Sequence, residues 1–217
     1  FCGTFGVCCE WVKLGPDFHA YGRDLSAEAV AYGTKHYLTK LTPEQRSRVK
    51  IEIKDVLAPG GPKTDLIMAM NFSYCLFKKR TELKAYFTNC LKNLRPDGML
   101  ALDCFGGGGV QRPNNERTAH PRFVYYWEQL DFDPVYNIAR CAMHFKPNGR
   151  KKIKNVFTYD WRVWTIPEIR ELLAEVGFRK SHVYWEGDDG KHGNGKFARD
   201  ENGGREDIWI AMLLAEK

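Results

Sequence analysis

The sequence predicts an α/β protein built on a doubly wound parallel sheet, with a small antiparallel β insertion. Strand and helix patterns alternate through the first two-thirds of the chain, their connections are short, and an alternating aromatic-rich stretch then interrupts them. Repeated β-then-α units with short connections are typical of doubly wound sheets. The chain has 217 residues, of which 43% are hydrophobic, and this is enough for one buried core. We therefore predict a single domain, residues 1–217, containing an insertion at 118–164.

Four strands are predicted in the alternating part, at 18–25, 50–56, 65–70 and 99–105. The third is almost continuously apolar, as expected for a central strand covered on both faces. A helix follows Ser26, a suitable N-cap residue, with Glu28 in its first turn. A second helix carries one apolar stripe, formed by Leu83, Tyr86, Phe87, Cys90, Leu91 and Leu94.

The pattern changes at residues 122–164, where aromatic-rich alternating runs surround the turn signal "KPNG". A helix comes next, with Thr165 and Glu168 as a capping box, Pro167 in the first turn and Gly177 at its end. Strands at 180–186 and 207–216 close the chain. The loop between them, residues 187–206, is long enough to indicate either a functional lid or disorder.

Composition excludes several classes of protein. No window approaches the ~20 apolar residues of a membrane span, and no secretory leader is visible. The seven cysteines include no CxxC pair, which favours reduced structural thiols, a cytoplasmic location and no metal site. The net charge is +6, but we interpret the densest basic run, "GRKKIKN" at 149–155, as a solvated hairpin end rather than a phosphate-binding patch.

Polar residues and glycines stand where the predicted strands end. Ligands of doubly wound sheets bind at the carboxyl ends of the strands. Gly3 stands in a loop that would let backbone N–H groups approach a ligand, and Asp24, twenty-one residues later, is suitably placed for a ribose diol. Asp55, Asn71 and Asp103 follow or end later strands. The loop "CGTFG" lacks both G-x-G-x-x-G and G-K-[ST], which leaves a cofactor with adenosine but no phosphate.

The chain resembles the class I S-adenosylmethionine-dependent methyltransferases, and in particular a subgroup with "DFCGT", "NFSY" and "FTYDWRLW" motifs. The matching stretches are "FCGTFGVCCEW", "GRDLS", "AMNFSYCLFKKRTEL", "LRPDGMLALDCFGG", "FTYDWRVWTIPEIRELLAEVGF" and "VYWEG". The resemblance implies a Rossmann-like seven-stranded sheet with the last strand antiparallel, and S-adenosyl-L-methionine as cofactor, with S-adenosyl-L-homocysteine as product. Its implied cofactor-binding residues are Cys2, Gly3, Thr4, Asp24, Leu25, Asp55, Val56 and Asn71.

The chain departs from the family pattern in its first loop. Phe1 and Phe5 stand where the superfamily prefers glycines, and we expect such bulky residues to narrow the loop. The acidic residue that the family places before this loop would precede residue 1. We therefore expect a first strand and N-terminal helices before the recorded chain.

The substrate pocket is expected to involve Tyr74, Tyr159, Trp161 and Arg162. An arginine there suggests an anionic group on the substrate, although a salt bridge to Asp160 or Glu168 is the alternative. Trp161 could equally belong to the core of the insertion. His144 is expected to be a packed core residue rather than a general base.

Three hypotheses about function remain open. The leading one is an enzyme that transfers a methyl group to a small molecule by in-line displacement. The alternatives are an RNA or protein methyltransferase, for which nucleic-acid binding is not excluded, and a non-catalytic cofactor-binding protein. The sequence identifies neither the acceptor, nor a catalytic base, nor the oligomeric state.

Overall fold

A computed structural model describes residues 1–188, 193–203 and 207–217. The chain forms two compact units, Phe1–Thr64 and Asp65–Lys217. In the described part of the chain no helix combines the length and apolar character needed to cross a membrane. All seven cysteines are free thiols.

The first unit contains a two-stranded parallel sheet and three helices. Strands β1 (Ala20–Asp24) and β2 (Val49–Ile53) pair in parallel, with Asp24 opposite Ile53. The helices are α1 (Gly6–Trp11), α2 (Ala27–His36) and α3 (Pro43–Ser47). The predicted N-cap of α2 is confirmed, since the Ser26 hydroxyl accepts the Ala29 N–H at 3.1 Å. The small core contains Phe5, Cys9, Val12 and Leu41.

One buried arginine organises the chain between α1 and β1. The Arg48 side chain is only 8% exposed. Its Nη1 donates to the backbone carbonyls of Val12, Gly15 and Phe18 at 2.8, 2.8 and 2.6 Å. Its Nε donates to Glu44 Oε1 at 2.8 Å. Because backbone carbonyls removed from water need donors, this side chain stabilises the segment that leads into β1.

The second unit is built on a five-stranded sheet in the order β10, β9, β11, β4, β3. These strands are β3 (Thr64–Ala69), β4 (Leu94–Gly106), β9 (Lys180–Asp188), β10 (Gly193–Arg199) and β11 (Trp209–Glu216). The last strand is antiparallel to both of its neighbours, β4 and β9. With β1 and β2 in a separate sheet, the single seven-stranded sheet stays a prediction.

Two helices of the second unit follow the predicted patterns. Helix α4 (Arg80–Asn93) buries the stripe residues Leu83, Tyr86, Phe87 and Cys90. Helix α5 (Ile166–Val176) begins with the predicted capping box, in which Thr165 and Glu168 satisfy each other's backbone N–H groups. It ends at Gly177, whose φ of 106° is left-handed. A left-handed backbone conformation favours glycine, because glycine has no Cβ.

The second unit also contains a four-stranded antiparallel sheet in the order β5, β6, β7, β8. Its strands are β5 (Asn114–Ala119), β6 (Phe123–Asp133), β7 (Ile138–Pro147) and β8 (Ile153–Arg162). The sheet starts earlier than the predicted bound of residue 118, because the polar strand β5 takes its hydrogen bonds from β6.

The segment 187–206 forms a strand where it is described, so the expectation of disorder is wrong there. Strand β10 lies inside it and pairs antiparallel with β9. Phe197 lies opposite Glu186, and Ala198 lies opposite Trp185. The described part is therefore ordered chain, and a functional lid stays a prediction. Residues 189–192 and 204–206, which belonged to the same expectation, lie outside the described residues.

Candidate functional site

In the first unit, the loop before α1 combines two left-handed residues. Gly3 has φ 52°, and nothing lies within 4 Å of the position that a Cβ would take. Phe5, with φ 45°, is the N-cap residue of α1. Its ring is 1% exposed and belongs to the core. The expectation that Phe5 narrows the loop is therefore wrong, because burial of the ring turns it away from the surface that Gly3 leaves open.

The backbone of helix α2 packs very closely against this loop. A Cβ added at Gly33 would lie 2.6 Å from Phe5 Cε1 and 2.8 Å from the Thr4 carbonyl carbon. Only a glycine allows the helix backbone to approach Thr4 this closely. Gly33 thus fixes the position of Thr4 and Phe5 in the loop, a role for which the sequence pattern has no signal.

Asp24 links the loop to the end of β1. Its Oδ2 accepts the Gly3 N–H at 2.7 Å, and its Oδ1 accepts the Ser26 N–H at 3.0 Å. A carboxylate offers about four lone-pair sites, so each Asp24 oxygen keeps acceptor capacity. The side chain is partly exposed. Gly3 and Asp24, both predicted as cofactor-binding residues, are thus joined by a direct hydrogen bond.

The other predicted residues of the first unit lie at the same edge of its sheet. Because β1 and β2 are parallel, Leu25 and Asp55 both follow carboxyl ends. The Leu25 side chain is exposed although it is apolar. Asp55 Oδ1 accepts the Leu57 N–H at 2.8 Å and so caps its own turn, and Val56 within that turn is half-buried.

Arg23 tethers the segment that follows β2. Its Nη1 donates to the Ala58 carbonyl at 2.9 Å, and its Nε donates to the Tyr21 hydroxyl at 3.0 Å. Tyr21 in turn donates to Glu52. Burial and the Glu52 carboxylate raise the pKa of Tyr21, so the hydroxyl keeps its proton and this donation is maintained. The sequence pattern around Arg23 carries no signal for this role.

In the second unit, the predicted residue Asn71 lies in a strained turn after β3. Asn71 and Phe72 both have left-handed backbones, with φ of 57° and 54°. Consecutive left-handed residues without a glycine are rare and costly. The Asp103 carboxylate holds them, since it accepts the N–H groups of Asn71 and Phe72 at 2.6 and 2.8 Å. Burial raises the pKa of Asp103 against the lowering effect of these bonds.

An aromatic cluster covers this turn. Phe72 contacts Phe105 and Trp161 edge-on, with ring centroids 4.8 and 5.4 Å apart. Trp161 also stacks on Tyr159 and Trp127 at 4.7 and 5.5 Å. Trp161 is 4% exposed, so it belongs to the core, the alternative that the sequence analysis left open. Tyr159 is half-buried and keeps part of its ring accessible.

Tyr74 lies in the core, and Arg162 has structural partners rather than an open pocket. Tyr74 is fully buried, and burial raises the pKa of its hydroxyl well above the usual value. The Arg162 Nη1 donates to the Lys78 carbonyl at 2.7 Å, Nη2 lies 3.4 Å from Glu168 Oε1, and the guanidinium covers the Trp164 ring at 3.7 Å. This is the Glu168 salt bridge left open as the alternative to an anion site.

His144 is buried, as the sequence analysis expected. Its Nδ1 accepts the Asn155 N–H at 2.8 Å, where β7 and β8 lose their regular register. The neutral tautomer assigned by this bond carries its proton on Nε2, which lies 2.6 Å from Glu128 Oε2. The imidazole therefore supplies an acceptor that the irregular strand pair lacks. Within the described residues, no group of three or more His, Cys, Asp or Glu could hold a metal ion.

No protein-family model matches the sequence, and no curated protein matches it. Several solved structures are similar in fold. An S-adenosylmethionine-dependent methyltransferase from Clostridium acetobutylicum has a TM-score of 0.68 at 18% identity, covering 99% of this chain and 80% of its own. The methyltransferase CcbJ from Streptomyces caelestis has a TM-score of 0.72 at 14% identity, covering 98% and 85%. The glycopeptide N-methyltransferase MtfA with bound S-adenosyl-L-homocysteine has 0.62 at 16%, covering 99% and 78%. The chain therefore has the α/β fold of these methyltransferases.

Proposed function

We propose that this protein is an S-adenosylmethionine-dependent methyltransferase. The observation that carries the proposal is the hydrogen bond from the Gly3 N–H to Asp24, at the carboxyl end of β1. It places an open, left-handed loop residue beside a carboxylate with remaining acceptor capacity. Solved methyltransferases with this fold, including some with the cofactor or its product bound, support the assignment.

The residues of the first unit fit the adenosine part of this cofactor. The free lone pairs of Asp24 match the two hydroxyl donors of a ribose, and the exposed apolar side chain of Leu25 offers a surface for the adenine ring. Cys2, Gly3 and Thr4 are proposed to hold the methionine part, and Asp55 and Val56 the adenine edge. The loop carries no phosphate-binding motif, which agrees with a cofactor that has no phosphate.

When bound, the cofactor supplies an electrophilic methyl group on a positively charged sulfur. The protein's part is then chiefly orientation, because an in-line displacement needs alignment more than covalent help. Gly33 and Asp24 fix the loop from two sides, which preorganises it at no cost during the reaction. In the second unit, Asp103 holds Asn71 and Phe72 in one conformation, and we propose that this turn serves the acceptor side.

Calorimetric titration tests the proposal. S-adenosyl-L-homocysteine should bind with micromolar or better affinity, whereas ATP and NAD⁺ should bind at least a hundredfold more weakly, because no phosphate cradle is present. Equal or tighter binding of ATP or NAD⁺ would reject the proposed cofactor. Turnover of radiolabelled methyl donor against a metabolite extract should label a small molecule. Labelling of tRNA or protein instead would favour a macromolecular acceptor.

A further inference from the structure

A cavity of about 300 Å³ lies in the second unit, at the carboxyl end of β4. Its walls come from the end of β4, the start of α5 and the first residue of β11. Phe105, Trp164 and Trp209 line it together with Phe132 and Ile166. Phe105 also contacts Phe72, so one aromatic ring separates the cavity from the strained turn at Asn71 and Phe72.

The glycine run after Phe105 shapes this cavity. A Cβ added at Gly106 would lie 2.7 Å from Trp209 Cη2, so the indole rests directly on the backbone at the end of β4. Gly107 has φ 104°, which a side chain would strain. These two glycines let Trp209 form one wall while the chain turns away from β4. The glycine run after Phe105 therefore forms part of an apolar pocket and not a phosphate-binding loop.

The cavity is suited to a neutral ligand. None of its lining residues carries a charge. The Asn137 Nδ2 group donates to the Val163 carbonyl, and the Thr165 hydroxyl serves the cap of α5, so both side chains have protein partners. Among the described residues, the exposed Gln111 amide has no hydrogen-bond partner, so its donor and its acceptor are available to a ligand. Burial of an ion here would cost free energy without compensation.

The size of the cavity agrees with a substituted ring. An apolar cavity of roughly 150 Å³ accommodates benzene, so this one has room for a ring and its substituents. Ligand sites are mostly apolar, with a few polar groups that fix orientation. Trp164 and Trp209 supply the apolar surface, and Gln111 supplies a donor and an acceptor.

We propose that this cavity binds a neutral, ring-containing part of the methyl acceptor, with Gln111 hydrogen-bonded to a polar substituent of the ring. The inference rests on the proposed function, since it names the class of acceptor for the same enzyme. It also defines a binding event that occurs without any methyl transfer.

Three probes with the same ring and different charge test the inference. 4-Methylphenol, 4-methylbenzoate and 4-methylbenzylammonium are titrated into the ¹⁵N-labelled protein. The neutral phenol should bind at least tenfold more tightly than either ion, and it should shift the backbone amides of Gly106 and Gly107 and the Trp209 indole N–H. The inference is overturned if no probe binds at millimolar concentration, if an ion binds as tightly, or if the shifts lie elsewhere.

Two variants locate the site. Ile166→Trp should fill the cavity and weaken phenol binding at least tenfold, whereas Val135→Trp, on an 80% exposed side chain, should leave it unchanged. Gln111→Ala, at an exposed position, should fold normally and weaken the phenol about fivefold, consistent with one lost hydrogen bond. Unchanged phenol binding by both cavity variants overturns the inference. Calorimetry with S-adenosyl-L-homocysteine on the same samples reports separately on the proposed function.

Discussion

Replacing Gly33 with alanine separates the effect of helix propensity from the effect of packing against the proposed cofactor loop. Alanine is favoured over glycine inside a helix by about 1 kcal/mol, so propensity alone predicts a more stable protein. The structure predicts the opposite. The added Cβ would lie 2.6 Å from Phe5 Cε1 and 2.8 Å from the Thr4 carbonyl carbon.

The size of the effect follows from these distances. Non-bonded carbon atoms pack at about 3.5–4.0 Å, so the loop and α2 would have to separate by about 1 Å. Overpacking of this kind typically costs about 1–3 kcal/mol, which the helix propensity offsets in part. We expect a net loss of about 1 kcal/mol in the free energy of unfolding. A displacement of this size in a binding loop should also weaken S-adenosyl-L-homocysteine at least tenfold.

Urea unfolding followed by circular dichroism measures the first effect, and calorimetry measures the second. Thr34→Ala, at the next and exposed position of α2, is the control, and it should leave the affinity unchanged. If Gly33→Ala is more stable than the wild type and binds the ligand equally well, the close packing of α2 on Thr4 does not position the loop.

Two further predictions concern buried charged groups. Arg48→Met keeps the apolar stem but removes the donors to three backbone carbonyls. We therefore expect the free energy of unfolding, measured with urea, to fall by about 3 kcal/mol. A fall of less than about 1 kcal/mol would show that water replaces the guanidinium. The second prediction concerns Asp103. Burial raises the pKa of its carboxyl group, so the pKa in the folded state lies above the pKa in the unfolded state. The stability that this group contributes below its unfolded pKa is therefore lost as the pH rises through its folded pKa. The wild type should therefore lose stability relative to Asp103→Asn as the pH rises above the unfolded pKa of about 3.9. A gain in stability over this rise in paired urea titrations would contradict the raised pKa.

Local signals were sufficient for much of the fold. Ser26 and Thr165 cap their helices as their sequences indicate. Four of the six predicted stripe residues are buried on α4, whereas Leu91 is half-buried and Leu94 begins β4. These features depend on neighbours within a few residues. By contrast, β5 and β10 are polar or glycine-rich, and only pairing with a distant strand makes them strands. Composition alone could not show that pairing.

The candidate site shows the same division between local and tertiary information. The spacing of Gly3 and Asp24 pointed to their association, because β1 brings a fixed length of chain back to the loop. The hold of Asp103 on the turn at Asn71 depends on β3 lying beside β4. Arg162 is explained by the Lys78 carbonyl, which is far away in sequence. A motif search had no signal for these long-range partners.

The affinity of Asp24→Asn for S-adenosyl-L-homocysteine tests the central claim most directly. The variant keeps the shape of the side chain but removes the charge and half of the acceptor oxygens that we assign to the ribose hydroxyls. Charge-assisted hydrogen bonds contribute about 1.5–3 kcal/mol each, so calorimetry should show at least tenfold weaker binding than in the wild type. Asp17→Asn, at an exposed position of the same unit, should bind like the wild type. Equal affinity of Asp24→Asn and the wild type would contradict the placement of the cofactor at this carboxylate.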